Sequence, residues 1–155
     1  MVNPFHAVPL RPRRSVSVER AVPFSPVIVW DALVDADLAD GWLGHLIVEP
    51  VEGGRFALVW PTDEPHQADW FGTIEQMIPA ERLAVAFAPH TLITFELRAS
   101  LVSDRRGSQV AVLHESFLTS SEAEAVARFW SRRLDLLHSL LGGHPVVWRH
   151  GERPD

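Results

Sequence analysis

The residue best placed to do chemistry in this chain is His114, in the segment QVAVLHESFL. Strand alternation sets it on one face with Val110 and Val112, looking toward a core or a cavity. A neutral imidazole there could orient a ligand carbonyl or hydroxyl, or act as an acid or base near neutral pH. The alternative is a core histidine with its hydrogen bonds satisfied. Glu115 points to the opposite face and cannot share a site with it. Arg20 interrupts the apolar face of SVSVERAV. It either binds a ligand carboxylate or phosphate or is tied to backbone carbonyls. Glu96 and Arg98 fall on the polar face of their strand, a solvated surface.

The other histidines form no ligand set. His45, His66 and His90 fall in separate loops, and His144 and His150 lie near the C-terminus. No pair has the HExxH spacing that puts two imidazoles on one helix face, so neither a metal nor another cofactor is expected. Cys, Lys and Tyr are absent altogether. That removes thiolate and Schiff-base chemistry, as well as the phenol that often orients a ligand. No G-x-S-x-G elbow is present, and Gly53–Gly54 lacks the strand–loop–helix context of a phosphate loop.

Aromatic surface is the other resource, with six tryptophans in 155 residues. Trp30 and Trp130 lie on apolar helix faces and read as core. Trp42, Trp60 and Trp70 stand at element ends beside polar loops, where the mouth of a cavity would be. An indole offers a wide flat face and one N–H donor, which suits an aromatic or polycyclic ligand. Filling a wide gap in the core is the competing role.

The elements that must position these residues follow from periodicity and turn chemistry. Val16, Val18 and Val22 alternate with polar residues in a first strand beginning near Ser15, which Pro23 ends. Ser25–Pro26 starts a helix carrying Val27, Trp30, Leu33 and Val34, and a second short turn spans Asp37 to Leu43. Strands follow over His45–Val51, Arg55–Trp60, Trp70–Ile78 and Arg82–Phe87. Gly53–Gly54 and Pro79–Glu81 are the turns between them. In TLITFELRASLV, Ile93, Phe95, Leu97, Ala99 and Leu101 share one face. A turn over Ser103–Gly107 leads to the last strand. Ser120 or Ser121 then caps a long helix with an apolar stripe of Val126, Trp130, Leu134, Leu137 and Leu141, ended by Gly142–Gly143. Strands followed by a segregated helix predict an α+β fold on an antiparallel sheet.

Charge limits the partners. Residues 1–14 hold three arginines and no acid, so 11 basic face 20 acidic residues in the rest, a net charge of −9. A body this acidic repels phosphate backbones, which argues against nucleic acid. The arm 1–14 is expected to be flexible, and the segment 142–155, with Val146, Val147 and Trp148, to pack back in part. No apolar run is long enough to span a bilayer, so no membrane insertion is expected. The start has no export signal, which predicts a cytoplasmic protein.

Three segments resemble the START-like (SRPBCC) helix-grip superfamily, in the branch of activator of heat-shock protein 90 ATPase homologues. VERAVPFSPVIVWDALVDADLADGWLG is similar to its first strand, its proline-started helix and an acidic stretch ending in tryptophan. VEGGRFALVW is similar to its Gly-Gly hairpin, and WFGTIEQMIPAERLAVAF to its next pair of strands with a Pro-x-x-Arg-Leu turn. RRGSQVAVLHESF and the Trp130 helix extend the likeness over residues 15–141, with Ser116 where a glycine is usual. The resemblance implies a START/Bet v-like fold: six or seven curved antiparallel strands around a long C-terminal helix, with two short helices after the first strand. It also implies a cavity between sheet and helix that holds a small hydrophobic ligand of lipid, polyketide or aromatic type. Trp42, Phe56, Leu58, Trp60, Trp70, Phe95, Val112, His114, Trp130 and Leu134 would line it. An enzyme of cyclase or dehydratase type using His114, and a chaperone- or partner-binding module, are the alternatives. A homodimer is one assembly open to it.

Overall fold

The computed structural model describes residues 11–59 and 68–143. In chain order the elements are β1 (Arg13–Val22), α1 (Pro26–Val34), α2 (Ala36–Ala39), β2 (His45–Val48), β3 (Arg55–Val59) and β4 (Trp70–Ile78). They continue with β5 (Arg82–Phe87), β6 (Thr91–Val102), β7 (Arg105–Phe117) and α3 (Ser120–Gly143). The strands form one curved antiparallel sheet in the order β1–β7–β6–β5–β4–β3–β2. Every neighbouring pair except β1–β7 is a hairpin. This is the α+β helix-grip architecture.

The period-two pattern sets the inner face, and the register aligns it across strands. Val18, Val112, Phe95 and Leu83 make one row through β1, β7, β6 and β5. Val16, His114, Ile93, Val85 and Ile74 make the next. The β6–β7 turn is tighter than expected. Ser103 and Asp104 alone make it, both with positive φ, which fits the hairpin twist that β-strands favour. Gly107 therefore lies inside β7, where an added Cβ would come within 2.5 Å of the Val22 carbonyl oxygen. This hairpin runs past the end of β1, so Leu101 is 73% exposed despite its place in the alternation.

Helix α1 buries Val29, Trp30, Ala32 and Leu33, not the Val27 that periodicity placed inward. Its proline start holds, yet the Ser25 hydroxyl makes no cap bond. Asp35 caps α2 by accepting from the N–H groups of Asp37 and Leu38. Helix α3 is capped by Thr119, one residue before the expected Ser120 or Ser121. Thr119 Oγ1 accepts from the Glu122 N–H at 3.1 Å, and Glu122 Oε1 accepts from the Thr119 N–H at 2.8 Å. This reciprocal box satisfies donors that the first turn leaves free.

Helix α3 lies on the inner face, nearest β1, with Trp130, Leu134, Leu137, Leu140 and Leu141 buried. Two polar devices hold it there. Arg20 Nη2 donates to the Ser131 carbonyl at 3.2 Å and to its hydroxyl at 3.1 Å, while Nη1 meets Asp135 at 3.0 Å. Arg14 Nε donates to the Leu118 carbonyl at 2.9 Å, and Arg11 pairs with Glu122. β1 thus begins at Arg13, and Arg11 and Arg14 of the arm are tied to the start of α3. Residues 1–10 and 144–155 lie outside the described residues.

Candidate functional site

The N-terminal half of α3 faces β4–β7 across a space filled by aromatic rings. Trp70, the first residue of β4, is the hub. Its ring centroid lies 5.5 Å from Phe87, 5.6 Å from Phe129 and 6.1 Å from both His114 and Trp130. Trp130 in turn meets Phe129 edge-on at 5.1 Å and Phe95 at 5.6 Å. Phe56 joins through Phe87 at 6.0 Å. These edge-to-face and tilted pairs are the preferred packing of rings with a quadrupole.

His114 is embedded in this cluster and only 6% exposed. Its Nδ1 accepts a hydrogen bond from Nε1–H of Trp130 at 3.0 Å. Among the described residues, nothing partners Nε2. Burial pushes the imidazole pKa down to about 4, because a charged ring would lose its hydration there. The ring is therefore neutral at pH 7. Two residues along β7, the Ser116 hydroxyl lies 2.8 Å from that of Thr91, a second polar point on the same face.

The structure brings together most of the residues expected at the site. His114, Trp70, Trp130 and Phe95 share the cluster, and Phe56 extends it. Val112 pairs with Phe95, Leu58 pairs with Trp70, and Leu134 is fully buried one turn beyond Trp130. Trp42 is not at a mouth. It is buried behind α1, and its Nε1–H donates to the Ala32 carbonyl at 2.8 Å. Trp60 lies outside the described residues, as do His66, His144 and His150. Arg20 is committed to α3 through one backbone carbonyl, the Ser131 hydroxyl and the Asp135 carboxylate. Phe87 and Phe129 were missed as site residues. Phe87 alternates with Leu83 and Val85, so its inward aim was readable. Phe129 adjoins Trp130 and widens the helix stripe.

A hollow of about 290 Å³ lies elsewhere, beside Arg13, Glu75, Pro89, His90 and Leu92 at the end of the β5–β6 turn. Among the described residues, no three His, Cys, Asp or Glu side chains are grouped to hold a metal ion. Among the same residues, no helix is long and apolar enough to cross a membrane.

Residues 23–142 match the family described as activator of Hsp90 ATPase homolog 1-like protein. The chain belongs to that family. No curated protein matches the chain. Several solved structures share its fold. CalU16 from Micromonospora echinospora is 23% identical, with a TM-score of 0.69 over 86% of this chain and 77% of its own. DynU16, from the dynemicin biosynthetic locus, is 19% identical, with a TM-score of 0.71 over 85% of this chain. The chain spans about half of DynU16, 48% of that chain. The Aha1 dimer from Colwellia psychrerythraea is 16% identical, with a TM-score of 0.68 over 84% and 98% of the two chains.

Proposed function

We propose that the chain binds a small, largely apolar, ring-shaped molecule between the sheet and α3, with His114 as its polar contact. One observation carries this reading: a nearly fully buried imidazole with one nitrogen left unpartnered, set among Trp70, Phe95, Phe129 and Trp130. Nε2 makes no hydrogen bond among the described residues and is not one of their fully sealed unpaired atoms, so it keeps access to a partner from outside the protein. Aromatic walls with one convergent polar group are the usual lining of a small-molecule site. The rings now fill the space. Trp70 and Phe129 are its half-buried members, so their displacement would admit the ligand. The dynemicin locus of DynU16 supports a small-molecule context only by likeness of fold.

Binding is favoured over acid–base catalysis. A histidine with a pKa near 4 is a poor proton acceptor at neutral pH, and Nδ1 is already engaged by Trp130. A cytoplasmic location belongs to the same reading. So does a homodimer, on the precedent of the Colwellia relative. Sedimentation velocity at two concentrations would test the dimer.

The test of binding is a tryptophan-fluorescence titration of the full chain with a panel of fatty acids, tricyclic aromatics and sterols. Native mass spectrometry of the purified protein runs alongside. Saturable quenching by the aromatic members, weakened by His114→Phe, is expected. No saturable response from any member would overturn the reading.

A further inference from the structure

We propose that Trp130 fixes the tautomer of His114, so that the site selects ligands presenting a hydrogen-bond acceptor. This deepens the binding reading above and rests on it. Trp130 Nε1 is a donor only, because an indole nitrogen has no lone pair to offer. It lies 3.0 Å from Nδ1 of His114, which must therefore carry the lone pair and no proton. In a neutral imidazole the single proton then sits on Nε2, which becomes a donor. Both residues are buried, His114 at 6% and Trp130 at 1% exposure, so water does not readily replace the indole as partner. The surroundings reinforce the assignment. Val16 and Ile93 flank His114 in the adjacent strands, and Trp70 and Trp130 lie against its ring. None of these four carries an acceptor side chain for an Nε2 proton.

The chemical consequence is a sense of direction. A ketone, quinone or ester carbonyl entering the aromatic space satisfies Nε2–H. A ligand whose only polar group is an N–H donor meets a donor and leaves both groups unpaired. An unpaired buried group costs more than a made bond gains, so exclusion of the donor should be at least as strong as preference for the acceptor. Trp130 is thus a positioning residue. It touches the ligand as a wall, and through His114 it decides what the ligand must offer.

Three isosteric tricycles separate the possibilities: 9-fluorenone carries an acceptor, carbazole a donor, and fluorene neither. Equilibrium dialysis against the full chain should show fluorenone bound at least about threefold tighter than fluorene, and carbazole no tighter. Long-range 1H–15N correlation on histidine-labelled protein should show His114 Nδ1 bare and Nε2 protonated. In Trp130→Phe the tautomers should mix and the fluorenone advantage should shrink. His114→Phe should abolish that advantage while keeping fluorene binding. Wild-type spectra with the proton on Nδ1 would overturn the proposal whether or not either variant folds. Equal binding of all three compounds would also overturn it, while leaving an aromatic binding site in which His114 is not the polar contact. Binding of none of the three would overturn the selectivity proposed here, and silence of the wider panel as well would remove the binding reading itself.

Discussion

His114 Nδ1 and Trp130 Nε1, 3.0 Å apart, join the last strand to the closing helix through a hydrogen bond buried among aromatic rings. Two residues 16 apart in sequence thus link the sheet to the helix that covers it.

This pair predicts how stability depends on pH. Burial lowers the folded pKa of His114 to about 4 from an ordinary 6.5. Between those values the unfolded chain binds the extra proton, so stability falls as pH drops through that window and is fully present above about 6.5. At about 1.4 kcal/mol per pKa unit, the loss attributable to His114 approaches about 3 kcal/mol by pH 4. Urea denaturation at pH 7.0 and pH 4.5 should show a larger loss in wild type than in His114→Phe. Equal losses would remove His114 as the cause.

The Thr119–Glu122 box predicts a second effect, at the start of α3. Thr119→Ala should cost about 1 kcal/mol, since it leaves the Glu122 N–H without its acceptor. Arg11→Ala should be nearly silent, because its pairing with Glu122 is solvent-exposed. Thermal melts of both variants beside wild type give the comparison, and a silent Thr119→Ala would count against the cap.

Gly72 should not tolerate a side chain. A Cβ there would stand 2.7 Å from Phe87 Cδ1 and 2.8 Å from Val85 Cγ1. The Phe87 ring packs on Trp70 at 5.5 Å, so pushing it disturbs the hub of the cluster. Gly72→Ala should cost about 1–3 kcal/mol and alter the tryptophan emission at once. An unchanged melting temperature and spectrum would show that the ring has room to yield.

Arg20 should matter for the helix and not for the ligand. Arg20→Met removes the bonds to Ser131 and Asp135 while keeping an apolar stem against the sheet. Amide exchange around residues 131–139 should quicken several-fold, with tricycle binding unchanged. Loss of binding without faster exchange would restore a ligand role to Arg20.

Much of this was legible in the sequence. Alternation and the four-residue steps of the last helix determine which residues face inward, and the register keeps those faces aligned across β1, β7 and β6. The cap of α3 was legible too. Thr119-x-x-Glu122 is a capping-box pattern, but the adjacent serines draw the eye one residue too far. Leu101 was not legible, because alternation says which side a residue takes and nothing of where the neighbouring strand stops. Nor was Trp42. Its place beside a loop resembles a cavity mouth, and only the fold of α2 against α1 brings the Ala32 carbonyl to its N–H. The partnership of His114 with Trp130 required the helix to be laid over the sheet before it could be seen.

Trp70 and Trp130, with ring centroids 6.1 Å apart and planes inclined by 57°, are close enough for their excited states to mix. Two chromophores in that relation couple into a pair of transitions with circular dichroism of opposite sign, a signature that neither indole has alone. A guest that parted the two rings would weaken it, which would give the proposed site an optical gauge of occupancy.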